Sequence, residues 1–209
     1  MTEAPQGRRE RNKQAKRTRI LAEAGRLFAE HGYAGTTTSA VAEAADVSHG
    51  TLFRYAPSKA ALMLMVGNAA LSARLAEYAD AGHGTATDRI VALVAPFVED
   101  RTQLENLVAY QRAALDGDPR EEHCAEAVAI VDRVVDTICG ILLDAAEEPG
   151  ATEAAQLAAE TVYASLHLQL VRADRDGRSP ADLTAHFRGQ TELIVRGFLA
   201  TVKGKKEQQ

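Results

Sequence analysis

The stretch TTSAVAEAADVSHGTLFRYAPSK, residues 37–59, decides the reading of this chain. Thr37 or Thr38 offers a hydroxyl to cap a short helix, along which Val41, Ala42 and Ala45 fall on one face. Asp46 and Val47 make a tight turn, and Asp tolerates the left-handed backbone that such a turn requires. Ser48 caps a second short helix with Leu52 as its inward anchor, Pro57 stops it, and Ser58 caps the next. The pattern predicts a helix-turn-helix. Entry into the major groove needs a short helix that points side chains outward while a second helix holds its other face. His49, Gly50, Thr51 and Arg54 are the positions left for DNA. Arg54 has the fork that reads guanine, Thr51 can bond a base or meet a thymine methyl, and Gly50 lets the backbone approach closely. Tyr55 and Lys59 stand where a hydroxyl and an ammonium typically hold phosphate, and Thr37 and Thr38 mark a helix N-terminus suited to an anion.

Working outward, a basic arm precedes this unit: Arg8, Arg9, Arg11, Lys13, Lys16, Arg17 and Arg19. Such an arm can follow the phosphate backbone or enter the minor groove. The whole chain of 209 residues carries a net charge of −5, which by itself argues against a nucleic-acid partner. Its distribution reverses that inference. Residues 1–59 hold ten Lys/Arg against six Asp/Glu, whereas the remaining 150 hold fourteen against twenty-three. A basic head can meet a duplex while an acidic body stays away from it. No stretch approaches the ~20 apolar residues of a membrane span, and the basic start runs into an amphipathic helix instead of a secretory segment. A soluble, cytoplasmic protein is expected. The two cysteines, Cys124 and Cys139, have no neighbours at metal-ligand spacing and read as reduced, buried thiols. A redox-sensing thiol is the other reading.

The rest is helical in pattern, so the fold expected is all-α. A first helix runs from near Lys13 to His31, with Ile20, Leu21, Ala24, Leu27 and Phe28 as its apolar stripe and Gly32 just past its end. A fourth helix runs from Ser58 to about Asp80. Start signals at Thr85–Asp88, Thr102–Glu105, Asp118–Glu121 and Ser179–Asp182 predict helices near 86–100, 102–116, 119–147 and 180–202, and the loops at Glu147–Thr152 and Asp174–Ser179 bound another near 152–174. The expected organisation is a three-helix DNA-binding head with its arm over 1–59, a larger ligand-binding and dimerisation body over 60–203, and a disordered tail over 204–209.

From Ile20 to Leu64 the chain resembles the DNA-binding domain of TetR-family transcriptional regulators. The resemblance rests on Ala24, Leu27, Phe28, Gly32, Tyr33, Thr37, Val41, Ala42, Ala45, Val47 and Ser48, followed by Gly50, Thr51, Leu52, Phe53, Tyr55, Lys59 and Leu62. It implies a homodimer, an all-helical ligand-binding body, and a repressor released from a palindromic operator by a small molecule. It also fits Thr37, Thr38, His49, Thr51, Tyr55 and Lys59 as DNA contacts. Two positions depart from the family pattern: Asp46 replaces a glycine, and Ala56 replaces a phenylalanine, so a looser junction with the fourth helix is expected.

The last two helices resemble the family's dimerising pair. Leu157, Thr161, Leu168 and Val171 on one, with Leu183, Phe187, Ile194, Val195 and Phe198 on the other, supply apolar area for it, though the same stripe suits an intramolecular core. A symmetric operator needs two heads, which favours the dimer. Polar residues on apolar helical faces mark a candidate pocket among helices four to eight: Tyr110, Gln111, Tyr163, His167 and Gln169, with Phe97, Met63 and Met65 as apolar lining. An apolar or aromatic effector fits such a wall. No cofactor is implied, and no set of residues at ligand spacing supports a metal.

Three other readings compete. One is a ligand-independent regulator or an activator. Another is an enzyme, disfavoured because His123 and Cys124 point about 100° apart on a helix with no third group to orient them. The last is a ligand-binding protein with an inert head, against which the intact Ser48–Tyr55 set and the basic arm argue.

Overall fold

Ile20, Ala24, Leu27 and Phe28 recur every three or four residues, and in the computed structural model of the chain they bury one face of α1 (Pro5–Gly35). The structure describes residues 5–78, 84–146, 148 and 150–206. The arm is therefore helical from Pro5 onward, eight residues earlier than the sequence pattern indicates; the side chain of Arg8 lies outside the described residues. Gly32 takes φ 70°, a left-handed geometry that breaks α1 where its C′ glycine was expected. Thr36 closes the break, its buried hydroxyl donating to the Leu27 and Gly32 carbonyls.

Two short helices follow, α2 (Thr38–Ala44) and α3 (His49–Phe53). Thr37 caps α2 by accepting from Ala40 N, and Ser48 caps α3 by accepting from Thr51 N. Asp46 between them is the one described non-glycine residue with positive φ, at 51°, as the turn demands. Ala56 is buried at the junction between α3 and the next helix. Ser58 caps α4 (Lys59–Tyr78) through Ala61 N; the expected end near Asp80 lies outside the described residues.

The body comprises α5 (Ala86–Val94) and a 3₁₀ turn (Ala95–Phe97), then α6 (Arg101–Asp116), α7 (Glu122–Ala146), α8 (Thr152–Asp176) and α9 (Pro180–Lys206). Thr85 and Asp88 form the expected capping box. Arg188 of α9 reaches the same carboxylate at 2.6 Å, and that contact, with the Thr85 hydroxyl, holds Asp88 below the usual carboxylate range. Two starts differ from the pattern. Asp100, not Thr102, caps α6 through Gln103 N. α7 begins at Glu122 because Asp118 is used in a turn, accepting from Arg120 N. α9 continues through Lys206, so the tail expected to be disordered is helical over 204–206; residues 207–209 lie outside the described residues.

The buried side chains fall into two cores. One joins α1–α3 to the first half of α4 and to Tyr110, Ala113, Cys124 and Ala127 of α6 and α7. The other fills the space among α5–α9. The head is thus welded to the body through shared apolar packing, with no break at residue 60. Glu105 of α6 adds a polar tie, its carboxylate accepting from Ala34 N at 2.7 Å beside the Gly32 kink. Both cysteines are buried and free.

Candidate nucleic-acid interface and its link to a buried cavity

Leu52 is buried and anchors α3, which leaves His49, Gly50, Phe53 and Arg54 exposed. A Cβ at Gly50 would meet nothing within 4 Å, so the open face there is available to another molecule. Thr51 is half-buried and its hydroxyl pairs with that of Ser48 at 2.9 Å. Phe53 was not among the readers expected from sequence. Its ring meets His49 edge-on at 5.3 Å, so the two form one exposed apolar and aromatic patch. An i, i+4 pair of aromatic type on the outer face was the available signal.

Arg54 faces a different way from His49 and Phe53. It borders a trough of about 720 Å³ with Arg9, Lys13, Lys16 and Arg17 of α1, where the acids among the described lining residues are Glu10 and Glu122. Tyr55 and Lys59, expected on phosphate, are engaged within the protein. Tyr55 Oη donates to the Lys13 carbonyl at 3.1 Å, so it is a strut between α3 and α1. Lys59 Nζ donates to the Ala34 carbonyl at 3.3 Å and lies 4.4 Å from the centre of the Tyr33 ring. Thr37 remains exposed at the N-terminus of α2 and Thr38 is half-buried beside it.

In the body, α4 to α8 and the 3₁₀ turn enclose a cavity of about 350 Å³. Phe97, Tyr110, Gln111, Tyr163 and His167 line it, as the sequence indicated. Met63 and Met65 do not; both are buried in the head-side core, because α4 turns those positions toward α1. Gln169 is also elsewhere, bonded to Gln190 and Arg178. The wall is mostly aliphatic, and exposed Leu115 and Val128 mark its opening. Gln111 and His167 hydrogen-bond to each other across α6 and α8. Burial pushes the Tyr110 and Tyr163 hydroxyls above the ordinary tyrosine range. Sequence reasoning missed Arg74, the permanent cation among the described lining residues; it donates to the Ala92 carbonyl at 2.7 Å. Only the tertiary fold brings α4 against α5 at that point.

A chain of hydrogen bonds leads from this wall to the recognition helix. Tyr110 Oη donates to Asn68 Oδ1 at 2.8 Å. Asn68 Nδ2 donates to the His123 carbonyl at 2.9 Å and to Glu126 Oε2 at 3.0 Å. His123 Nε2 lies 2.8 Å from the Tyr55 carbonyl, and since a carbonyl offers no proton, Nε2 carries it. Tyr55 in turn holds Lys13. His123 therefore serves as a link between α7 and α3; its neighbour Cys124 points its thiol at the Ala114 carbonyl.

The outer face of the last two helices is apolar. On α8, Leu157, Thr161, Leu168 and Val171 are exposed along one stripe. On α9 Leu193 is the exposed large apolar residue among those described, flanked by Gly189 and Gly197, where a Cβ would meet nothing within 4 Å. Phe187 and Phe198, expected in a dimer contact, are buried within the chain together with Leu183 and Val195, and Ile194 packs against that core. These residues do share one face of α9, but that face meets the chain's own core.

Residues 20–66 match the family model for bacterial regulatory proteins, tetR family. This head is a TetR-family DNA-binding domain. Solved structures extend the likeness over the TetR-like fold as a whole. A TetR transcriptional regulator from Rhodococcus sp. RHA1 is 20% identical, with a TM-score of 0.62 over 88% of this chain and 97% of that one. FadR of Thermus thermophilus, a TetR-family transcriptional repressor in complex with lauroyl-CoA, is 25% identical, with a TM-score of 0.62 over 87% and 94%. FadR of Bacillus subtilis, in complex with stearoyl-CoA, is 19% identical, with a TM-score of 0.59 over 86% and 98%. No curated protein matches the chain. Among the described residues no helix is long and apolar enough to cross a membrane, and no group of three or more His, Cys, Asp or Glu can hold a metal ion.

Proposed function

We propose that this TetR-family protein is a cytoplasmic repressor that binds a palindromic operator as a homodimer and is released when a largely apolar small molecule enters the α4–α8 cavity. The observation that carries the reading is the hydrogen-bonded path from Tyr110, in the cavity wall, through Asn68 and His123 to the Tyr55 carbonyl at the end of the recognition helix. A ligand that displaces the Tyr110 ring acts on the element that sets the pitch of α3. Coupling of this kind requires only that the ligand favour one arrangement of the path over the other.

In this reading α3 reads bases through Ser48, His49, Gly50, Thr51 and Phe53, the last suited to a thymine methyl. Arg54 joins Arg9, Lys13, Lys16 and Arg17 on phosphates, because it opens to their trough. Thr37 and Thr38 present the N-terminus of α2 to the same backbone. The exposed stripes of α8 and α9 around Leu157, Leu168 and Leu193 pair with those of a second copy, which sets two heads against two half-sites. The protein performs no catalysis of its own.

The test is capture of fragmented genomic DNA by the purified protein, followed by sequencing. Enrichment of a few fragments sharing an inverted repeat supports the reading. Lauroyl-CoA and apolar aromatic molecules are then titrated against the complex. Absence of enrichment at moderate salt, from a folded dimer, would point to a ligand-binding protein with an inert head. DNA binding that no ligand relieves would point to a ligand-independent regulator.

A further inference from the structure

The α4–α8 cavity presents two hydrogen-bond donors from one face of α8. Tyr163 and His167 stand four residues apart on that helix, and both line the cavity. Residues so spaced are neighbours on the helix surface, with Cβ atoms about 5–6 Å apart. Gln111 Nε2 hydrogen-bonds to His167 Nδ1. An amide nitrogen has only protons to offer, so Nδ1 accepts and the ring proton lies on Nε2. Burial raises the Tyr163 hydroxyl above its ordinary range, so it too keeps its proton. Tyr163 Oη and His167 Nε2 have no hydrogen-bond partner among the described residues and, unlike His123 Nδ1, neither is sealed from contact. Tyr110, by contrast, commits its proton to Asn68 Oδ1.

The charge in the wall is already engaged. Arg74 donates to the Ala92 carbonyl at 2.7 Å, has the Glu77 carboxylate at 4.0 Å and lies 5.5 Å from the centre of the Tyr78 ring. No other Lys, Arg, Asp or Glu is among the described lining residues. A carboxylate held against α8 would therefore be buried without a free cation, which is costly. A carbonyl oxygen has two lone pairs and takes two donors without bringing a charge. Volume sets the size of the rest. An apolar cavity of about 150 Å³ holds one benzene ring, so the cavity of about 350 Å³ admits about fourteen heavy atoms. We infer that the effector is a neutral carbonyl compound of that size, a ketone or ester with an apolar body, whose carbonyl oxygen accepts from Tyr163 Oη and His167 Nε2. The inference rests on the reading of the α4–α8 cavity as the effector site.

The test uses the full-length protein and three probes of similar length: 2-undecanone with carbon-13 at its carbonyl, 2-methyl-1-undecene, in which a methylene replaces that oxygen, and decanoate. Headspace partitioning reads the affinity of the two volatile probes, and calorimetry that of decanoate. The alkene reports how well the cavity takes the apolar body alone. The double variant Tyr163→Phe, His167→Leu should weaken the ketone at least about tenfold, because its carbonyl is then buried unpaired, and change the alkene less than about twofold. Val131→Phe fills the cavity and should abolish binding of both. Helical circular dichroism establishes that each variant is folded. Independently of any variant, the carbonyl carbon resonance of the bound ketone should lie near its value in water and downfield of its value in hexane. The inference is overturned by ketone affinity that the double variant leaves unchanged, by equal losses for ketone and alkene, by a hexane-like resonance, or by decanoate binding more tightly than the ketone. Each of these leaves an apolar effector site in place if the alkene still binds. Failure of all three probes to bind saturably would remove both the inference and the reading of the cavity on which it rests.

Discussion

Asn68→Leu is the substitution that tests the path between cavity and head most directly. The side chain is almost completely buried and nearly isosteric with leucine, so the change removes hydrogen bonds without opening a large void. Three bonds are lost: from Tyr110 Oη at 2.8 Å, to the His123 carbonyl at 2.9 Å and to Glu126 Oε2 at 3.0 Å. They differ in consequence. Glu126 has an exposed side chain and can turn to water. The His123 carbonyl sits in the first turn of α7, where a helical donor can still reach it. Tyr110 Oη is left buried and unpaired, which costs about 1–3 kcal/mol. The total should therefore be about 2–3 kcal/mol, dominated by Tyr110. Tyr110→Phe alone strands Asn68 Oδ1 and should cost about 1–2 kcal/mol. The double variant has neither orphan, so its loss should fall short of the sum by roughly 1–2 kcal/mol. The assay is urea unfolding followed by circular dichroism, at one fixed protein concentration because a dimer's stability depends on it. Losses that add to within about 0.5 kcal/mol would refute the coupling.

Gly67→Ala should destabilise the chain by about 1–3 kcal/mol although alanine is the better helix former, because its Cβ would collide with the Tyr110 ring; a rise in the thermal midpoint would contradict this packing. Leu193→Arg should yield a folded monomer in analytical ultracentrifugation and abolish tight operator binding, and a persistent dimer would remove α9 from the interface. Arg54→Ala should weaken specific and random DNA alike and lower the salt slope of binding by about one; relaxed preference at a single base pair would return Arg54 to base reading. Burial raises the folded-state values of Tyr78, Tyr110 and Tyr163 above that of the unfolded chain, so the folded form retains protons that the unfolded form releases. The tyrosine contribution to stability should therefore be constant below pH ~10 and fall above it, and Tyr110→Phe should make the alkaline decline shallower in pH-dependent unfolding.

The head was legible in sequence because its determinants are local. Caps at Thr37 and Ser48, the left-handed Asp46 and the buried anchors Val41 and Leu52 each act within one or two turns of helix, and one chain pattern reports them all. The helical content of the body was legible for the same reason, as were five cavity residues, since a polar group on an apolar face is visible in the period alone. What the period does not contain is which neighbour each face meets. Phe187 and Phe198 look equally suited to a partner copy and to the chain's own core, and only packing against α8 and α5 assigns them inward. Met63 resembles lining of the α4–α8 cavity until α4 is seen to turn it toward α1, where it borders a smaller cleft instead. The contacts that give Arg54 to the arm, Tyr55 to Lys13 and Tyr110 to Asn68 join residues 37 to 45 positions apart along the chain or bridge separate helices, and their geometry is set by interhelical packing. The sequence by itself determined the kind of protein and its reading helix; the tertiary structure decided how that helix is held, and which side chains stand between it and the cavity.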